Sequence, residues 1–194
     1  MIRPLAVIVS AILMSRPTMP VTEATRYARV LDEEARKHAF DPLTAVAIIH
    51  FESRWQPWQI SPDGEDYGLG QVRARYLGAC RGDDDPVGHP SPACRAAKAT
   101  LLAGETNIRR MASIITANRD LCRTKTGNAN LAHWLAGYEG LNRPALDRWC
   151  APGPRTWQVV AYRQELVAAL APAPRKAAPK RVAARAAPAA RKDR

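Results

Sequence analysis

Residues 43–51 are the segment that most constrains how this chain can fold. Read as a helix, the segment is apolar on nearly every side, so it has to lie at the centre of a domain. Asp41 and Pro42 come directly before it; Asp is a favoured helix cap, and Pro is well tolerated at the first helical position. The sequence therefore predicts a buried central helix that carries Glu52 in its last turn and ends before Pro57.

Other parts of the chain also show the spacing of amphipathic helices, namely residues 22–39, 96–118, 130–138 and 155–170. Residues 56–76 and 81–93 are rich in glycine and proline, which predicts loops, with a short irregular hairpin in the first of them. The sequence shows no credible long strand and no internal repeat. We therefore expect a mainly α domain over residues 21–170.

The N-terminus has the pattern of a targeting segment. Arg3 precedes an apolar run over residues 5–14, interrupted only by Ser10, which suits the apolar region of a signal peptide and falls short of the roughly 20 residues that span a bilayer. This predicts a leader over residues 1–20 and an exported protein, periplasmic or extracellular. The alternative is that the same run is the first helix of the folded domain.

The sequence has four cysteines, and no two of them form a C-x-x-C motif: Cys80, Cys94, Cys122 and Cys150. Their wide spacing argues against a tetrahedral metal site, and the histidines show no ligand spacing, so we expect no metal and no cofactor. An even number of cysteines behind an export signal favours two disulfides. Three pairings are possible; Cys80–Cys94 and Cys122–Cys150 are favoured because each closes a local loop, and buried free thiols are the alternative.

Residues 171–194 consist almost entirely of alanine, proline, arginine and lysine. Eight basic residues against Asp193 give this tail +7 of the chain's net charge of +11. Such a composition cannot bury enough apolar surface to fold, which predicts a disordered tail. Its charge favours contact with anionic wall polymers or a membrane surface; the absence of interleaved aromatic residues, together with export, argues against nucleic acid.

Glu52 is the strongest candidate for chemistry. A carboxyl group at the end of a buried helix has its pKa raised by burial and by the negative end of the helix dipole, and a carboxyl that keeps a proton near neutrality can act as a general acid. The alternative is that the side chain leaves the core at the helix end and pairs with Arg54 or Arg73.

Two further motifs follow. Ser61-Pro62 precedes Gly68-Leu69-Gly70-Gln71, where glycines allow a close approach to a ligand and an amide can bind sugar groups. Gly137-Tyr138-Glu139-Gly140 stands at the end of the helix predicted at 130–138. Each motif taken alone is a weak signal.

Taken together, the motifs resemble the transglycosylase SLT domain family, over about residues 22–170. That family has a helix ending in Glu-Ser, then a Ser-Pro turn and Gly-Leu-Met-Gln; Glu105-Thr-Asn-Ile108 and Ala136-Gly-Tyr138 are similar to two later family motifs. Gly70 stands where the family has Met, which predicts open space in the cleft wall. Glu139 stands where the family has Asn after the tyrosine.

The resemblance implies a lysozyme-like fold and a lytic transglycosylase, which cleaves the β-1,4 bond between N-acetylmuramic acid and N-acetylglucosamine. Glu52 would act first as acid and then as base, giving a 1,6-anhydro product. The family's cleft positions correspond here to Ser53, Ser61, Gly68, Leu69, Gln71 and Tyr138. Trp55 and Trp58 are candidates for packing on sugar rings, with core packing as the alternative. The expected partner is the peptidoglycan glycan strand, bound by a monomer.

Two other functions compete with this interpretation. A hydrolytic muramidase, similar to goose-type lysozyme, needs a second carboxylate to activate water, and Asp63, Glu65 or Asp66 could supply it. An inactive peptidoglycan-binding component of a secretion apparatus is the third possibility, suggested by the divergent Tyr138 motif.

Overall fold

The computed structural model describes residues 3–142, 146 and 148–171, and the predicted disordered tail falls almost wholly outside these residues. The described residues are mainly helical, as the sequence predicts, with seven α-helices and one small hairpin. The helices are α1 (Leu5–Ser15), α2 (Val21–His38), α3 (Pro42–Glu52), α4 (Pro92–Leu101), α5 (Gly104–Thr126), α6 (Leu131–Tyr138) and α7 (Pro154–Ala169). The hairpin strands are β1 (Asp66–Tyr67) and β2 (Val72–Arg73).

Helix α3 is the central element, as predicted. All its residues from Pro42 to Ile49 are buried, and α1, α2 and α7 pack around it. Asp41 caps its first turn by accepting a hydrogen bond from the Leu43 N–H at 3.2 Å. The helix ends at Glu52, earlier than the proline suggested, because Arg54 and Trp55 adopt left-handed backbone conformations with φ of 52° and 63°.

Helix α1 is part of the hydrophobic core. Ile8, Ala11 and Ile12 have no exposed surface, and the helix packs on α2 and α3. Two arginines, Arg3 before α1 and Arg163 in α7, form salt bridges with Asp41 at 2.8 and 2.7 Å. The segment predicted as a leader is therefore folded as the first helix of the domain, and its role in export stays a prediction. Among the described residues, no helix is both long and apolar enough to cross a membrane.

The prediction of one helix over residues 96–118 is wrong, because two helices, α4 and α5, cover this region. The chain turns at residues 102–103, and Gly104 begins α5 directly against α2. A Cβ atom at Gly104 would lie 2.6 Å from the Tyr27 hydroxyl oxygen, so the close approach of the two helices requires glycine here. This contact joins distant parts of the chain, and periodicity within one segment could not reveal it.

All four cysteines form disulfides, Cys80–Cys94 and Cys122–Cys150, which confirms the favoured pairing. The first closes the loop before α4, and the second ties α5 to the segment that leads into α7. Within the described part of the chain, no cluster of histidine, cysteine and acidic side chains is arranged to hold a metal ion.

Candidate active site

Glu52 lies at the C-terminal end of α3 and is sheltered from solvent, with 16% of its side chain exposed. Burial raises the pKa of this carboxyl to about 7. The positive charge of Arg155 opposes the effect, and the negative charges of Glu139 and Asp66 add to it. A carboxyl group with its pKa raised in this way can keep a proton near neutral pH, as a general acid requires.

The cation beside Glu52 comes from a segment that is distant in sequence, the last helix α7. Arg155, in the first turn of α7, places its Nη2 atom 3.2 Å from Glu52 Oε2 and also donates to the Phe51 carbonyl at 2.9 Å. Arg54 instead contacts His50, and Arg73 forms two 3.0 Å hydrogen bonds with Asp66. The suggested pairing of Glu52 with Arg54 or Arg73 is therefore wrong.

Residues 68–71, called here the glycine turn, are held tightly against the rest of the domain. Gly68 has a φ of 72°, and a Cβ atom there would lie 2.2 Å from the Leu101 carbonyl oxygen. The Ser53 hydroxyl donates to the Leu69 carbonyl at 2.8 Å, and Leu69 is fully buried. Ser53, Gly68 and Leu69 thus fix the turn relative to the end of α3.

The expected open space at Gly70 does not exist. A Cβ atom at this position would lie 2.8 Å from the Met111 sulfur and 2.9 Å from the Tyr138 hydroxyl oxygen. Met111 itself is fully buried. A side chain from α5 therefore fills the volume that the missing Met side chain would leave, and the cleft-wall expectation is corrected.

Tyr138 lies near Glu52 and supports the glycine turn. Its hydroxyl donates to the Gly70 carbonyl at 2.5 Å. Burial, together with the neighbouring charges of Glu52 and Asp66, raises its pKa well above the ordinary value. The structure thus brings Tyr138 to the catalytic candidate, with its hydroxyl bonded to the turn.

Ser61 and Gln71 are bonded within their own loop. The Ser61 hydroxyl contacts Asp63 and accepts from the Asp66 N–H at 2.9 Å. The Gln71 amide donates to the carbonyls of Gln59 and Gly68, at 3.2 and 2.9 Å. These contacts engage the Ser61 hydroxyl and the Gln71 N–H donors in shaping the loop.

The two tryptophans near the site differ in exposure. Trp55 is 1% exposed and donates through Nε1 to the Ser15 hydroxyl at 2.8 Å, so its suggested role on a sugar face is wrong and the core alternative is correct. Trp58 is 63% exposed, at a concavity beside the turn between α1 and α2. Of the two, Trp58 alone keeps a face that a ligand could reach.

Among the three suggested second carboxylates, Asp66 contributes to the raised pKa of Glu52. Glu65 is paired with Arg75, and Asp63 is bonded to Ser61. Glu139 also acts on Glu52, and sequence reasoning had noted this residue only as a departure from the family pattern. Arg155 was missed altogether, since nothing in its local sequence points to a partner 103 positions earlier.

Compared with protein-family models, with curated proteins and with solved structures, the chain gives no match. The interpretation of the site therefore depends on the geometry around Glu52.

Proposed function

We propose that the protein is a peptidoglycan lytic transglycosylase with a lysozyme-like fold, in which Glu52 is the catalytic acid and base. One observation carries the proposal: a sheltered carboxyl at the end of a buried helix whose pKa is about 7. The mainly helical domain and the glycine turn packed beside this carboxyl are consistent with it. Two disulfides are compatible with an exported protein that reaches the cell wall.

The reaction needs one carboxyl group that gives and takes a proton. Protonated Glu52 donates its proton to the glycosidic oxygen, and the bond from that oxygen to C1 of the muramoyl residue breaks with its electron pair leaving on the oxygen. Ionised Glu52 then removes the proton of the muramoyl C6 hydroxyl while that oxygen bonds to C1. The carboxyl ends protonated, and the product carries a 1,6-anhydro ring without consuming water.

Hydrolysis is the second candidate, because Asp66 places a negative charge within electrostatic reach of Glu52. A second carboxylate can direct water to C1 in place of the C6 hydroxyl. Both Asp66 oxygens, however, accept hydrogen bonds from Arg73, so they are already engaged and less available to direct a water molecule.

Mass analysis of digested sacculi separates these outcomes. We expect the wild type to release muropeptides whose ends are lighter by one water than reducing ends, and Glu52→Gln to release none. Glu165→Gln, at an exposed position of α7, is the matched control and should behave like the wild type. Reducing ends alone would favour hydrolysis, and wild type that binds sacculi but releases nothing would favour a binding component.

A further inference from the structure

Glu52 has one direct charged partner among the described residues, Arg155. The position of the Arg155 guanidinium is restrained by a second contact. Its guanidinium reaches both Glu52 Oε2 and the carbonyl of Phe51, the residue just before Glu52. An arginine bonded at two neighbouring points of α3 cannot follow the carboxyl freely, so it fixes where Oε2 lies. Arg155 is half-exposed at 51%, so its charge is screened in part by water.

Glu139 is bonded to Thr156, the residue that follows Arg155 in α7. Its Oε2 atom accepts a hydrogen bond from the Thr156 hydroxyl at 2.5 Å, while Oε1 is buried and accepts none from the described residues. Burial raises the pKa of Glu139, and Thr156 and Arg155 lower it. A buried carboxyl oxygen without a hydrogen bond from the described residues favours the protonated form of Glu139, in the same direction as its raised pKa.

Two pairs of adjacent residues therefore interlock around the catalytic candidate. Tyr138 is the last residue of α6 and Glu139 follows it, while Arg155 and Thr156 lie in the first turn of α7. Arg155 contacts Glu52, Thr156 contacts Glu139, and Tyr138 supports the turn beside them. Asp66 on β1 is the remaining charged group that acts on Glu52.

We propose that Arg155 and Glu139 are positioning residues for Glu52: Arg155 orients the carboxyl and stabilises its ionised form, and Glu139 offsets that cation so that Glu52 holds a proton until the substrate takes it. This inference rests on the proposed function. In the first chemical step Glu52 becomes an anion, so the contact with Arg155 strengthens as the proton leaves. An interaction that grows along the reaction coordinate lowers the barrier.

The decisive measurement is the titration of the Glu52 carboxyl, followed by NMR in protein labelled with carboxyl-¹³C glutamate. The Glu52 signal is assigned by its loss in Glu52→Gln, and its midpoint in the wild type should be about 7. Arg155→Met should raise the midpoint by about one pH unit, and Glu139→Gln should lower it. Arg155→Lys keeps the cation and should bring the midpoint back toward that of the wild type.

Controls of equal charge change are available at exposed positions. Arg29→Met on α2 and Glu165→Gln on α7 should leave the midpoint unchanged. Opposite displacements by Arg155→Met and Glu139→Gln cannot come from a general loss of structure, which would move both variants the same way. Midpoints that stay at the wild-type value in both variants would overturn the inference.

The pH profile of kcat on soluble glycan strands gives a second, independent readout. Its descending limb should move to higher pH in Arg155→Met and to lower pH in Glu139→Gln. If the wild type is inactive but the two variants show the displaced NMR midpoints, the proposed reaction is rejected and the positioning role of Arg155 and Glu139 is supported. If the wild type is active but the Glu52 midpoint is unchanged in both variants, the positioning role is rejected and the proposed reaction is supported.

Discussion

Asn107 accepts a hydrogen bond from the backbone N–H of Gly70 at 2.7 Å, and this contact joins the start of α5 to the turn after Glu52. The same side chain donates to the carbonyls of Tyr67 and Leu101, at 2.7 and 2.8 Å. Asn107 has no exposed surface. One amide group thus satisfies three backbone groups and connects the hairpin, the end of α4 and the start of α5.

Replacement of Asn107 by leucine should lower the free energy of unfolding by about 2–4 kcal/mol. Leucine has a similar volume but leaves three buried backbone groups without partners, and each unmet group is costly. Urea unfolding followed by circular dichroism measures the change. Gln164→Leu, which replaces an exposed amide on α7, should stay within about 0.5 kcal/mol of the wild type. Equal stability of the two variants would contradict the role assigned to Asn107.

Gly68 and Gly127 form a matched pair for a test of the glycine turn. Both have left-handed backbone conformations, with φ of 72° and 69°, but a Cβ atom at Gly127 would meet nothing within 4 Å. Gly127→Ala should therefore cost about 1–2 kcal/mol for the backbone conformation alone. Gly68→Ala adds a clash with the Leu101 carbonyl and should cost several kcal/mol or displace the turn. The same urea titration compares them, and similar costs would disprove the tight packing at Gly68.

The raised pKa of Glu52 makes the stability of the protein depend on pH. The folded state binds a proton at this site up to a pKa of about 7, whereas the unfolded state releases it near 4.5. The contribution of Glu52 to stability is therefore fully present below pH 4.5 and is lost as the pH rises through about 7, a difference of about 3 kcal/mol. Relative to the wild type, Glu52→Gln should become more stable between pH 4.5 and 8.

Comparison of unfolding curves for the two proteins at each pH isolates this site, since all other titrating groups are common to both. A stability difference that does not change with pH would show that Glu52 titrates normally.

Helix α1 should contribute to stability as a core element. Ile12 is fully buried, so Ile12→Ala should cost about 2–4 kcal/mol in protein that retains α1. Met14, which is 47% exposed on the same helix, provides the control: Met14→Ala should cost much less. Thermal unfolding, with the intact mass measured to establish that α1 is present, tests the expectation. Two variants of equal stability would mean that α1 does not pack as described.

The elements predicted correctly from the sequence are those set by local chemistry. Helix α3 follows from its apolar residues and the Asp41 cap, and both disulfides follow from the preference for local loops. The position of Glu52 at a helix end could be predicted from the sequence of this segment alone. Its sheltered environment followed from the same pattern.

The features that were missed depend on contacts between distant segments. The chain breaks between α4 and α5 where Gly104 lies against Tyr27, and the space at Gly70 is closed because Met111 comes from another helix. Arg155 reaches Glu52 only because α7 packs against α3. Pattern within a segment predicts that an element exists, but it does not predict which side chain arrives from elsewhere.

The disulfide between Cys122 and Cys150 has a consequence for the segment that carries Arg155. Arg155 follows Cys150 closely along the chain, so the bridge anchors the segment that delivers this guanidinium to α3. In a reducing cytoplasm the same segment would rely on non-covalent contacts alone, without the roughly 3–4 kcal/mol that closing a loop of this length provides. Formation of this disulfide would therefore favour the arrangement in which Arg155 lies beside Glu52.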